Sequence, residues 1–271
     1  MKDTHIHSSN FSYDSKSSID EYVERAKKIG VDEITFTEHF DLFEGVNTDK
    51  KPLHLPLYKM NFNRIKDKYP IKINMGLEIG LQPSIKDKIS HNIERLKFDY
   101  VIGSTHISDG KDVARDKSYF DDKSAYKALL QYYKDVLENV KTFDKEYDAY
   151  SSIDFALRYC DLLEKRVDYD EHKEVLDAIL EELVRKDKAL EVNTSGLKYG
   201  LVFPHPNPVI IRRYKDLGGK IITVGSGAHE ANELAKNFEM AYDIVESVGF
   251  DEVAIYHERK PDFVKIKELR R

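Results

Sequence analysis

The sequence predicts an α/β protein whose parallel strands close into a barrel, and three observations point there. Short apolar strand-like runs alternate with amphipathic helices about eight times, which is the signature of a parallel sheet with crossover helices. The runs end in polar residues at fairly even intervals: Thr37-Glu38-His39, Glu78, Ser104-Thr105-His106, Asn193-Thr194-Ser195 and Ser226-Gly227-Ala228-His229. At 271 residues with no linker, the chain suits one large single-core unit, and residues 1–271 are expected to form a single domain.

The elements follow in order. Asp3-Thr4-His5-Ile6-His7 reads as a first strand, and the two-residue spacing puts both imidazoles on one face, within reach of one metal ion. Taken by itself, such a pair proves little, since a surface accident or a half-buried polar face produces it more often than a metal site does. A polar loop from Ser8 to Ser15 leads through Ser17-Ser18 into a helix with Ile19, Tyr22, Val23 and Ala26 on one face, ended by Gly30. The strand through Ile34 and Phe36 completes a β/α unit.

Helices are then expected over residues 57–69, 84–96, 124–140, 169–186, 208–217 and 231–248. Strands are expected over 71–79, 98–103, 147–150, 189–193, 220–224 and 251–256. In a closed barrel the side chains at the C-terminal strand ends converge on one mouth, so His5, His7, His39, Glu78, His106 and His229 can share a site despite their separation. Two insertions, Leu42 to Leu55 and Ser108 to Asp122, follow strands and are expected over that mouth.

Imidazole and carboxylate ligands suit Zn, Mn or Fe, and ions crowded in one mouth can share a bridging carboxylate. Glu78, inside Gly76-Leu77-Glu78-Ile79-Gly80, is the expected bridge, since the flanking small residues admit close neighbours; the plainer alternative is a salt-bridged carboxylate. Ser104, at a strand end, is a candidate phosphate ligand.

These residues also carry a family resemblance. His5-Ile6-His7, Phe11-Ser12-Tyr13-Asp14-Ser15, Thr37-Glu38-His39-Phe40, Gly76 to Gly80, Ile102-Gly103-Ser104-Thr105-His106, Ile153 to Tyr159, Glu191 to Leu197 and Ser226-Gly227-Ala228-His229 are similar, in order, to the motifs of the polymerase-and-histidinol-phosphatase superfamily. More narrowly, they resemble its monofunctional histidinol-phosphatase branch, collinearly from residue 3 to about residue 260.

The resemblance implies a distorted (β/α)7 TIM-like barrel with a metal site at the C-terminal strand ends. It implies up to three divalent ions and hydrolysis of L-histidinol phosphate in histidine biosynthesis. Residue by residue, it implies that His5, His7 and Glu78 bind the first ion, Glu78 and His106 the second, and His39 and His229 the third, with Asp14 as a helper. Arg158 resembles the family's phosphate-binding arginine, and a guanidinium fork suits phosphate oxygens. Lys198 stands where the family often has a second arginine. Glu78, His106 and Arg158 are thus the expected catalytic residues.

Two positions depart from the pattern. Where the family usually reads Ser-Asp-Ala-His this chain has Gly227, and where it usually reads Gly-His this chain has Ser151-Ser152. The first ion keeps three protein ligands, the composition of a catalytic zinc site, while the second keeps only two. Fewer ions than three are therefore expected. The alternative to a working phosphatase is a catalytically silent or ligand-substituted relative that binds a phosphorylated small molecule.

The remaining histidines read as structural. His91 and His172 are expected to be solvated on helices, His54 to lie in a loop, and His205 to sit in a rigid turn over the mouth; His257 ends a strand without a metal-type neighbour. Asp109, Asp121 and Asp122 could meet a cationic amino group, although loops commonly carry acids for solubility.

Composition sets the outer limits. A net charge of −6 with dispersed Lys and Arg lacks the footprint of a nucleic-acid binder. No apolar run approaches a membrane span or signal sequence, so no membrane partner is expected. Cys160, the only cysteine, permits no intrachain disulfide, reads as a packed thiol, and fits a reducing cytoplasm.

Overall fold

The computed structural model describes residues 1–46, 52–121, 123–160 and 169–270. β1 (Lys2–Ile6) pairs in parallel with β2 (Glu33–Phe40), and β2 with β3 (Lys72–Gly80) and then β4 (Tyr100–Ser104). A small antiparallel ladder of β5 (Ile107–Ser108) and β6 (Lys111–Asp112) lies beyond β4. The parallel sheet continues through β7 (Ala149–Tyr150), β8 (Ala189–Asn193) and β9 (Ile222–Gly225), giving seven strands among the described residues.

Among the described residues the barrel closes only at its mouth. The Thr4 hydroxyl donates to the Val224 carbonyl (3.0 Å), Gly227 N–H to the His5 carbonyl (2.8 Å) and His7 N–H to the Ala228 carbonyl (2.9 Å). This closure brings the last strand's loop against the first strand's histidines.

The crossover helices are α1 (Ile19–Ile29), α2 (Leu55–Ile65), α3 (Lys86–Arg95), α4 (Ala125–Thr142), α5 (Lys173–Arg185), α6 (Pro208–Asp216) and α7 (Phe238–Ser247). α1 shows how local sequence sets them: Ser18 and Glu21 form a reciprocal capping box, Gly30 ends the helix at φ 70°, and Ile19, Tyr22, Val23 and Ala26 are buried. The helix expected over 231–248 begins only at Phe238, because Ala235 and Asn237 adopt left-handed backbone at φ 51° and 63°.

One strand departs from expectation. β10 (Glu252–His257) does not extend the barrel; it pairs antiparallel with β11 (Lys260–Lys265), which leads to α8 (Ile266–Leu269). The hairpin plugs the barrel floor: Ala254 and Tyr256 pack with Tyr100, Ile102, Ala149 and Ala189, and Tyr256 stacks on Tyr100 at 5.0 Å. His257 therefore lies at the end opposite the mouth, against Glu33 Oε1 (2.5 Å) and Asp262 Oδ2 (2.6 Å).

Candidate metal centre

The C-terminal strand ends bring His5, His7, Asp14, His39, Glu78, Ser152, Arg158, Asn193 and His229 to one cleft. β1 delivers His5 and then His7, both buried, by its period of two. His5 Nδ1 faces both Glu191 oxygens at 2.9 and 3.0 Å, so a proton on Nδ1 leaves the Nε2 lone pair turned to the cleft.

There, three potential ligand atoms face one another. His5 Nε2 and His7 Nε2 are 3.1 Å apart, and Glu78 Oε2 lies 3.5 and 3.4 Å from them. Zn–N bonds of about 2.0–2.1 Å in tetrahedral geometry require ligand–ligand edges of about 3.3 Å, so this triangle has the dimensions of one face of a zinc site. His7 Nδ1 is buried without a hydrogen-bond partner, which leaves Nε2 as that ring's only engaged nitrogen.

Glu78 is placed to bridge. Its Oε1 accepts the Ser104 hydroxyl (2.7 Å) and lies 3.6 Å from His106 Nε2, while Oε2 faces His5, His7 and, at 3.1 Å, His39 Nδ1. The His39 contact lacks the direction of a hydrogen bond. His39 Nε2 and His229 Nε2 both approach Asp14 Oδ2, at 3.5 and 3.4 Å, so the expected third set is assembled too.

Electrostatics follow this crowding. Against burial, which lowers it, the Glu191 and Glu78 carboxylates push His5 up to about 10. Burial, with the neighbouring His39 and His229, holds His7 well below the ordinary imidazole range. Despite burial, His5, His106 and His39 hold Glu78 well below the usual carboxylate range. Burial raises Glu38 to about 7 even though it accepts hydrogen bonds from Ser8 and Ser12, which tie the loop carrying Asp14 to β2.

Arg158 lines the cleft from a single turn after β7 (Phe155–Tyr159), its guanidinium 4.7 Å from the Phe155 ring centre and 4.4 Å from that of Tyr199. Two other residues assigned to phosphate are engaged elsewhere. Ser104 spends its hydroxyl on Glu78, because the end of β4 aims it along the β3 neighbour. Lys198 lines an adjoining cavity and pairs with Glu233 at 2.7 Å, since the turn after β8 carries it past the cleft.

Several residues escaped the sequence reading. Asp41 accepts from His106 Nδ1 (3.0 Å) and from Gly80 N–H (3.1 Å); a Cβ at Gly80 would stand 2.4 Å from that oxygen, so any larger residue there would push the carboxylate away from His106. Glu191 orients His5, and Asp154 holds His205, which accepts from Arg158 Nε. The sequence signal of Asp41, Glu191 and Asp154 was a place inside or next to one of the motifs quoted above.

Position 227 is shaped as well as emptied. Its φ is +57°, and a Cβ there would lie 2.7 Å from Asn193 Oδ1, so any side chain must displace the Asn193 amide. Ser152 also has positive φ, 50°, and its hydroxyl meets Ser151 at 3.1 Å.

Among the remaining expectations, His91 is exposed on α3 and His54 caps α2 through Nδ1. His172 is buried rather than solvated, stacked on Tyr126 at 4.8 Å, because the turn before α5 packs onto α4. His205 is fully buried, paired through its backbone with Asn193 at the C-terminal end of β8. Cys160 is buried, as a packed thiol would be. Of the loop acids, Asp109 pairs with Lys123 (2.6 Å), Asp121 is exposed, and Asp122 lies outside the described residues, as does part of the first insertion. The second insertion reaches the rim, where Arg115 sits 4.8 Å from the Tyr13 ring centre.

The sequence profile of the PHP domain matches residues 3–195. The chain belongs to the PHP-domain family. It is 32% identical over 268 residues to a histidinol-phosphatase of Lactococcus lactis, covering 96% of each chain. This PHP-domain chain also superposes with a TM-score of 0.85 and 31% identity on the crystal structure of histidinol phosphate phosphatase from Lactococcus lactis complexed with zinc, L-histidinol and phosphate. That match covers 96% of this chain and 98% of the other. A solved structure from Listeria monocytogenes, at TM-score 0.77 and 19% identity over 89% of this chain and 99% of its own, shares the fold. The seven-stranded, floor-plugged barrel is the distorted TIM-like barrel that the resemblance implied. Among the described residues no helix is long and apolar enough to cross a membrane.

Proposed function

We propose that this chain is a metal-dependent phosphomonoesterase that hydrolyses L-histidinol phosphate to L-histidinol and phosphate. The observation that carries the reading is the triangle of His5, His7 and Glu78 beside Arg158 in one cleft, in a chain 32% identical to a histidinol-phosphatase over almost its whole length.

His5, His7 and Glu78 would hold one divalent ion, and His39, Asp14 and His229 another, with Glu78 and His106 left to share a weaker position. Zinc is the favoured ion, because the ligand–ligand edges at the first position have tetrahedral dimensions; Mn or Fe are the alternatives. When bound, the ions supply Lewis-acid polarisation of the phosphoryl group and a nucleophile generated from water at neutral pH.

The chain's own residues do the rest. Glu191 holds the His5 ring so that Nε2 faces the cleft. Ser104 and Asp41 orient Glu78 and His106. Arg158 offers N–H groups to phosphoryl oxygens and offsets charge that builds as the bond to the leaving oxygen breaks. The lone buried cysteine supports a cytoplasmic, reducing setting.

A second reading, a silent relative that binds a phosphorylated molecule, is favoured by Gly227 and Ser152, which offer no metal-binding side chain of the usual kind. Steady-state phosphate release from histidinol phosphate, with metal content measured on the same samples, separates the two. Turnover that scales with metal content supports the enzyme; full metal occupancy without turnover supports the binder.

A further inference from the structure

The cleft's arginine is held by a buried pair that the metal chemistry does not use. His205 is fully buried, and its backbone is pinned to the end of β8 by two hydrogen bonds with Asn193, of 2.8 and 2.7 Å. Its Nδ1 lies 2.5 Å from Asp154 Oδ1, and the other carboxylate oxygen accepts from Asn207 N–H at 2.9 Å. Asp154, also fully buried, is an acceptor, so the His205 proton sits on Nδ1. Nε2 is then a bare lone pair, and it accepts from Arg158 Nε at 2.7 Å.

The neutral form is the one this environment selects. Burial lowers His205 below the ordinary imidazole range, and the adjacent Arg158 charge works in the same direction against Asp154. A proton on Nε2 would also face the Arg158 Nε–H, donor against donor.

We propose that Asp154 and His205 are positioning residues that fix the rotation of the Arg158 guanidinium for a phosphoryl group. The plane is held between Phe155 and Tyr199, Nε is occupied by His205, and Nη2 gives one hydrogen to Ser195 Oγ at 2.6 Å. The remaining guanidinium hydrogens, which have the Tyr159 hydroxyl as a neighbour, line the cleft and supply the pair of donors that two phosphate oxygens require. A guanidinium free to rotate about its stem would present that pair only part of the time, so the pair lowers the ordering cost of binding. The inference rests on Arg158 being the phosphate-binding residue of the proposed hydrolase.

Inhibition by inorganic phosphate, measured on metal-loaded protein of known metal content, tests it. An asparagine amide overlays Nδ1 and a glutamine amide overlays Nε2. His205→Asn therefore keeps a donor for Asp154 but removes the acceptor for Arg158, while His205→Gln keeps that acceptor. His205→Asn should raise the phosphate inhibition constant about tenfold, as expected for a lost hydrogen bond to a charged group. His205→Gln should stay within about threefold of the parent, and His205→Asn should have no effect when combined with Arg158→Ala. Metal content should not change in any of them.

A tenfold loss that persists in the Arg158→Ala background, or equal damage from Asn and Gln, overturns the positioning role in an otherwise active phosphatase. A parent that neither hydrolyses histidinol phosphate nor binds phosphate overturns the phosphatase reading and this one with it. Nitrogen-15 NMR of histidine-labelled, zinc-loaded protein gives a readout independent of turnover and of any poorly folding variant. The parent should show His205 neutral with Nδ1 protonated, and Asp154→Asn should shift that equilibrium toward Nε2. A parent with Nε2 protonated overturns the proposal outright.

Discussion

Glu78→Gln is the sharpest test of the metal centre, because the substitution keeps the shape of a buried side chain and removes its charge. In the parent, Oε2 closes the triangle with His5 and His7, at 3.5 and 3.4 Å, and stands 3.1 Å from His39, while Oε1 faces His106 at 3.6 Å. The Ser104 hydroxyl, which donates to Oε1 at 2.7 Å, favours the amide oxygen on that side. The NH2 group then points into the triangle, where it is a donor that cannot bind a cation. Changes that merely disturb the orientation of metal ligands typically cost about 10- to 100-fold in metal affinity, so loss of a ligand shared between positions should exceed about 100-fold. Equilibrium dialysis against zinc followed by elemental analysis measures this. His91→Ala, on the exposed face of α3, is the proper control; His172 is buried and stacked, and its loss would confound stability with binding. If Glu78→Gln retained as much zinc as His91→Ala at every free zinc concentration, the strand-end metal site would be refuted.

Arg158→Ala should weaken phosphate binding by roughly 1.5–3 kcal/mol, the worth of a hydrogen bond to a charged group, and an unchanged inhibition constant would remove Arg158 from the site. Gly227→Asp with Ser152→His should raise metal content and hydrolysis together, each change alone doing less. Because a Cβ at 227 meets Asn193 Oδ1 at 2.7 Å, that gain should come with a lowered melting temperature. A double variant that took up more metal but hydrolysed no faster would end the phosphatase reading. At the opposite end of the barrel, Glu33 is buried, yet hydrogen bonds from His257, Lys2 and Asn74 depress it from 4.5 to about 2. The folded value lies below the unfolded one, so its contribution is present above about pH 4.5 and disappears as pH falls toward 2. The stability gap between parent and Glu33→Gln, from urea midpoints, should narrow across that window; a gap independent of pH would refute the linkage.

The sequence by itself determined what depends on near neighbours. The two-residue period of β1 put His5 and His7 on one face, Ser18 with Glu21 and Gly30 bounded α1, and the alternation of runs declared a parallel barrel, because these are properties of stretches a few residues long. The direction of β10 was not readable in this way. Its hairpin turns at Glu258 and Arg259, both at positive φ of 49° and 64°, where Asn and Gly would have advertised the turn, so the preceding helix suggested one more barrel strand.

Only the tertiary structure decided the partners around the metal residues. Glu191 reaches His5 across 186 positions of chain, Asp41 reaches His106 across 65, and His205 reaches Asp154 across 51. Ser104 and Lys198 carried the right chemistry at plausible positions, but the neighbouring strand and turn gave them Glu78 and Glu233 as partners. Local periodicity fixes which face a residue occupies; which group it meets there depends on barrel closure, and that is set by contacts between segments with no shared local signal.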